Sequence, residues 1–163
     1  MATAEPKAPK VLEVGDKAPS FSLPTDGGGK VSLAQLKGKS VVLYFYPKDD
    51  TSGCTAEAIA FTQNAKAFKA AGAVVVGVSK DSPASHDKFK SKYELDVTLG
   101  SDEDTKTDQA YGVWVEKSLY GRRYMGMERA TFAIDGKGVI RAIWRKVKVP
   151  GHAAEVLKFV TSL

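Results

Sequence analysis

Cysteine is almost missing: Cys54 is the only one in 163 residues. A single thiol closes no intramolecular disulfide, so the chain is not a disulfide-stapled secreted scaffold, and a reducing cytoplasm is its simplest location. A cysteine-rich zinc site is excluded for the same reason. Histidine is scarce too, with only His86 and His152, so no metal-ligand cluster emerges and neither metal nor cofactor is expected. Long apolar runs are also missing. The stretches Val41 to Tyr46 and Ala73 to Val76 have strand length, far below the roughly 18 residues of a membrane span, which predicts a soluble protein with no membrane partner. Met1 to Lys10 is rich in Ala, Pro and Lys and lacks the apolar stretch of a secretory signal; residues 1–13 read as a flexible tail before a single domain over 14–163. The excess of one charge sign is modest. With 24 basic against 19 acidic residues the net charge is +5, enough to attract anions but far from a nucleic-acid arm.

What is present suits one globular domain, since a 43% apolar content buries a core without staples. Phe21 to Pro24 and Lys30 to Leu33, separated by Thr25-Asp26-Gly27-Gly28-Gly29, predict an N-terminal hairpin. The run Val41 to Tyr46 is β-branched and aromatic and is closed by Pro47, as expected of a buried central strand. Cys54 to Ala71 carries the spaced apolar residues Ile59, Phe61, Ala65 and Phe68 of a helix, with Thr51 as its N-cap and Cys54 in its first turn. Gly72 ends that helix and Ala73 to Val78 makes a second buried strand, parallel to the first. Ser82 and Pro83 start another helix. A short strand at Val97 to Leu99, a short helix at Asp104 to Tyr111, a hairpin of Thr131 to Ile134 with Val139 to Trp144, and a closing helix from Gly151 to Leu163 complete an α/β domain with a mixed sheet.

The chemistry lies between Tyr44 and Glu57, where a buried strand delivers a polar loop and a thiol to a helix start. Free cysteine is usually a small apolar filler. Here Thr51, Ser52, Gly53 and Thr55 are small and polar, unlike core neighbours, and Gly53 permits close backbone approach. Unpaired amides and the positive end of the helix dipole favour the reactive thiolate.

The order Pro47, Thr51, Cys54 resembles the peroxiredoxin pattern of Pro, three residues, Thr or Ser, two residues, Cys. The longer string Tyr-Phe-Tyr-Pro-Lys-Asp, followed by Gly-Cys-Thr and Glu57, is similar to the peroxiredoxin Q group, also called bacterioferritin comigratory protein. Glu128-Arg129-Ala130-Thr131-Phe132 and Trp144 to Val149 extend the resemblance to the C-terminal part. It implies a thioredoxin-like fold with a mixed central sheet, flanking helices and an added N-terminal hairpin. It also implies a peroxidase in which Cys54 attacks a hydroperoxide, Thr51 hydrogen-bonds the peroxide, Pro47 shields the thiolate and Arg129 is its cationic partner. Arg122, Arg123, Arg141 and Arg145 are the other arginines of the C-terminal part. Glu57 either orients the loop or Arg129, or is a solvated helix carboxylate.

Many members of that group carry a second, resolving cysteine, either five residues after the first or on the helix after the second strand. Those places hold Ile59 and Lys90 here. The expectation is a one-cysteine enzyme, a monomer or weak dimer, recycled by thioredoxin, glutaredoxin or glutathione. Three other readings compete. A cysteine hydrolase needs a histidine base, and no motif recommends His86 or His152. A thioredoxin-like sensor or binding module would use Cys54 without turnover. Nucleic-acid binding through Arg145-Lys146-Val147-Lys148 rests on a short charge run, which is usually a solvated face.

Overall fold

The computed structural model describes residues 11–163. Most of the expected tail, residues 1–10, lies outside them. Leu12 already packs against the core, and Gly15 donates its amide to the carbonyl of Ile140 at 2.8 Å.

A five-stranded sheet in the order β5-β4-β3-β8-β9 carries the fold. Its strands are β3 (Ser40–Phe45), β4 (Ala73–Ser79), β5 (Thr98–Ser101), β8 (Ala130–Ile134) and β9 (Ile140–Trp144). β3 is the central strand expected from sequence, parallel to β4 and antiparallel to β8. β4 continues parallel to β5, and β9 closes the other edge antiparallel to β8, so the sheet is mixed. β1 (Ser22–Pro24) and β2 (Lys30–Ser32) form the N-terminal hairpin.

Both faces of β3 are buried, which explains its unbroken apolar run. Val42, Tyr44 and Tyr46 face one core with Phe61, Phe68, Phe89, Val156 and Val160. Val41, Leu43 and Phe45 face the other, with Phe132, Tyr111 and the hairpin residues Phe21, Leu23 and Val31. The first core is roofed by α1 (Ser52–Gln63), α2 (Ala65–Ala70), α3 (Pro83–Tyr93) and α5 (His152–Thr161). α4 (Lys106–Ala110) leads to Tyr111 on the opposite side.

Two departures from the sequence expectation have physical causes. The single helix expected from Cys54 to Ala71 is broken at Asn64, whose side-chain amide donates to the carbonyl of Ala60 at 2.8 Å, competing with the backbone ladder. A hairpin that the sequence reading did not contain joins β6 (Trp114–Leu119) to β7 (Arg122–Met127) as a separate two-stranded sheet. Its turn residues Tyr120 and Gly121 both have positive φ, 51° and 78°, the backbone of a tight two-residue hairpin turn.

Tyr44 links the sheet to the helix that bears Cys54. Its ring stacks on Phe61 of α1 at 4.6 Å between centroids and lies so close over β4 that a Cβ at Gly77 would stand 2.6 Å from Tyr44 Cζ. Gly77→Ala should therefore destabilise the fold by about 2 kcal/mol through overpacking. Urea unfolding checks this, and an unchanged midpoint would contradict the close packing.

Candidate active site

Cys54 is the third residue of α1 and is 1% exposed. The preceding loop runs from Pro47, where the missing amide ends pairing after Tyr46 donates to the carbonyl of Val78 at 3.1 Å. Asp49 is the loop's buried anchor. Its carboxylate accepts from Tyr46 Oη at 2.6 Å and Ser85 Oγ at 2.8 Å and meets His86 Nδ1 at 2.7 Å. Its own amide donates to Asp81 at 2.8 Å. Asp50 adopts a left-handed φ of 58°, an unfavourable backbone for a residue with a Cβ. Lys92 Nζ at 2.7 Å and Tyr93 Oη at 2.6 Å donate to its carboxylate and hold its pKa below the usual carboxylate value. The loop is thus tied twice to α3.

Thr51 occupies the N-cap position with extended backbone, but its side chain makes no capping bond. Its hydroxyl instead donates to the carbonyl of Lys48 at 2.8 Å. Pro47 and Thr51 are both exposed, in the loop between β3 and α1.

Arg129, in the passage from β7 to β8, reaches across to the helix start. Its Nη2 donates to Cys54 Sγ at 3.2 Å and its Nη1 to Glu57 Oε1 at 2.7 Å. A Cβ on Gly53 would stand 3.1 Å from Nη2, so the glycine leaves room for the guanidinium. Burial works against the charge of Arg129, yet Glu57 and Cys54 raise its pKa above the ordinary arginine value. Glu57 is 1% exposed, one helical turn after Cys54, and is a buried partner of Arg129 rather than a solvated carboxylate. Burial outweighs the opposing pull of Arg129 and raises the Glu57 pKa to about 7. Tyr44, beneath the site, is pushed well above 10 by burial and then by Glu57, Cys54 and Asp49, which keeps its phenol neutral.

The other arginines serve elsewhere: Arg122 is exposed, while Arg123, Arg141 and Arg145 pair with Glu116, Asp135 and Glu128. Arg145 also lies over the Phe132 ring at 5.7 Å, so the basic run from Arg145 to Lys148 has a structural member. His86 Nε2 meets the Gly100 carbonyl at 3.0 Å and His152 Nε2 meets Thr131 Oγ1 at 2.8 Å. Neither ring is a partner of Cys54, so the base required by a cysteine hydrolase is not supplied at the thiol. Ile59 packs on the first core and Lys90 pairs with Asp26 at 2.8 Å. Sequence reasoning missed Asp49. Its position between Lys48 and Asp50 reads as solvated loop, and all its partners but Tyr46 lie more than thirty residues away. Among the described residues no group of three or more His, Cys, Asp or Glu is placed to hold a metal, and no helix is long and apolar enough to cross a membrane.

A thioredoxin-like domain with a buried thiol at a helix start, bonded to an arginine, defines a thiol peroxidase by its arrangement. The chain belongs to the AhpC/TSA family, whose model matches residues 14–143, and within it to the Bcp or peroxiredoxin Q group. It is 56% identical over 146 residues to a putative peroxiredoxin bcp of Coxiella burnetii, covering 90% of this chain and 97% of the relative. It is 48% identical over 147 residues to peroxiredoxin Bcp of Bacillus subtilis, covering 90% and 94%. Among solved structures, the bacterioferritin comigratory protein of Xanthomonas campestris, described for its alkyl peroxide reduction activity, superposes with a TM-score of 0.84 at 41% identity, covering 87% of this chain and 90% of that one. The chain is a thiol peroxidase of the peroxiredoxin type.

The Glu57 shift gives stability a pH dependence. Its folded pKa lies above the ordinary 4.5, so the native state holds the extra proton and stability falls as pH rises from 4.5 to about 7. The full span amounts to about 3 kcal/mol. Urea unfolding at pH 5 and pH 7.5 should show this loss in wild type and a much smaller one in Glu57→Gln; equal losses would remove Glu57 as its source.

Proposed function

We propose that the chain reduces hydrogen peroxide and organic hydroperoxides with Cys54 as nucleophile, and that an external thiol completes each cycle. The observation that carries this reading is the 3.2 Å bond from Arg129 Nη2 to Cys54 Sγ at the start of α1. The guanidinium and the helix N-terminus set positive charge beside the sulfur, which attacks peroxide as its thiolate. The thiolate displaces at the terminal oxygen of ROOH: the S–O bond forms, the O–O bond breaks, and RO⁻ leaves and takes a proton to become water or an alcohol. Cys54 becomes a sulfenic acid. Negative charge spreads from sulfur over two oxygens in the transition state, and a fixed cation beside the sulfur stabilises that spread more than the ground state.

Thr51 Oγ1 has its proton committed to Lys48 and offers its lone pairs to the peroxide O–H. Pro47, which has no amide to draw water onto the thiolate, is its shield in this reading. Glu57 fixes the second arm of the guanidinium.

With no second cysteine in the chain, the sulfenic acid is attacked by an external thiol, water leaves, and a second equivalent of thiol releases Cys54 from the mixed disulfide. The alkyl peroxide activity of the Xanthomonas relative supports organic hydroperoxides as substrates. Thioredoxin, glutaredoxin and glutathione are the candidate reductants.

Rapid mixing with peroxide should show wild type oxidised far faster than free cysteine and Cys54→Ser inert. Arg129→Gln should be slower by about a hundredfold, and Thr51→Val slowed with recovery in Thr51→Ser. Wild type no faster than free cysteine would overturn the assignment. Turnover with each thiol supplied separately identifies the reductant, and no turnover with any of them would make Cys54 a sensor.

A further inference from the structure

The β6–β7 hairpin sends one cation back towards the site. Lys117 sits opposite Tyr124, and its stem crosses Gly126, where a Cβ would stand 3.1 Å from Cδ and 3.4 Å from Cε. The ammonium donates to the carbonyl oxygen of Met127, two residues before Arg129. A lysine on an exposed hairpin ordinarily extends its head into water; this one is half-buried and pairs with no carboxylate among the described residues. Desolvation and then the charge of Arg129 lower its pKa, while Glu128 and Cys54 oppose them, so Lys117 lies within the electrostatic reach of the site.

The segment that Lys117 holds is the one that aims Arg129. Glu128 donates its amide to the carbonyl of Val113 at 2.7 Å, and the carbonyl of Arg129 accepts from the Val147 amide at 3.0 Å. The Met127 carbonyl is a third fixed point, and a side chain supplies it. We propose that Lys117 is a positioning residue of the peroxide site, fastening Met127 so that the Arg129 guanidinium stays on Cys54 Sγ. The proposal rests on the roles given above to Arg129 and Cys54. A bond of 3.2 Å does not survive a shift of about 1 Å, and misplacement on that scale is costly in rate.

The test is a cycle of oxidation rates measured by rapid mixing with hydrogen peroxide, using wild type, Lys117→Met, Arg129→Gln and the double variant. Lys117→Met should slow oxidation by about tenfold in the wild-type background and have no further effect in Arg129→Gln, because the lysine acts through the arginine. Lys117→Arg, which can still donate to Met127, should recover most of the rate. A purely structural lysine would lower the melting temperature without that coupling or rescue. An unchanged rate in Lys117→Met, or the same loss in both backgrounds, overturns the proposal. If Lys117→Met does not fold, Lys117→Gln enters the same cycle with the same expected and overturning results. The two readings fail separately: a slow Arg129→Gln beside an undiminished Lys117→Met removes Lys117 alone, whereas Arg129→Gln as fast as wild type removes the site reading itself.

Discussion

One guanidinium shared between a thiol and a carboxylate is the constraint on which the site depends. Cys54 and Glu57 lie one turn apart on the same helix and are both buried. Left without a cation, a thiolate there would carry a large desolvation cost and would face a second developing negative charge. Arg129 enters from the far end of the hairpin and bonds both groups with separate nitrogens, a fork that the point charge of a lysine cannot reproduce. The absence of a side chain at Gly53 is what allows the fork to close over the helix start.

Around that fork the site is fastened by partners from distant elements. The loop before Cys54 is held by its own Thr51–Lys48 and Tyr46–Asp49 bonds and also by α3, through Asp49 to Ser85 and His86 and through Asp50 to Lys92 and Tyr93. The left-handed backbone at Asp50 is maintained by those contacts, as strained positions beside functional groups usually are. Beneath the loop, Tyr44 spans the gap between Gly77 and Phe61, so the position of α1 on the sheet is set by an aromatic contact with little slack. Preorganisation of this kind places the positive groups before charge develops on the substrate.

Much of this was legible in sequence, and the parts that were not share a cause. The β3 run, the helix start at Cys54 and the Ser82-Pro83 start of α3 are local patterns, and each forms nearly where its residues predicted; Ser82 Oγ accepts the Ser85 amide at 3.1 Å. The resemblance had singled out Arg129 among several arginines, and the structure brings it, and no other, to the thiol. Glu57 had two equal readings because helical spacing says nothing about what a distant strand end will present to it. Asp49 went unnoticed because its burial is created by partners on α3. The β6–β7 hairpin was missed because its residues are largely half-buried or exposed, so it lacks the apolar alternation that marks a strand with one buried face.

On the proposed cycle, the near-complete burial of Cys54 would divide the two half-reactions by size. A peroxide needs only a narrow opening to meet a buried sulfur. In the proposed cycle a thiol attached to a peptide or a protein would need a wider opening, past a loop that α3 holds at Asp49 and Asp50. Entry of oxidant and entry of reductant therefore ask different things of the same few residues. In the proposed cycle the fastenings that hold the loop for the first reaction would have to yield for the second, and the opening of that loop would then bound turnover.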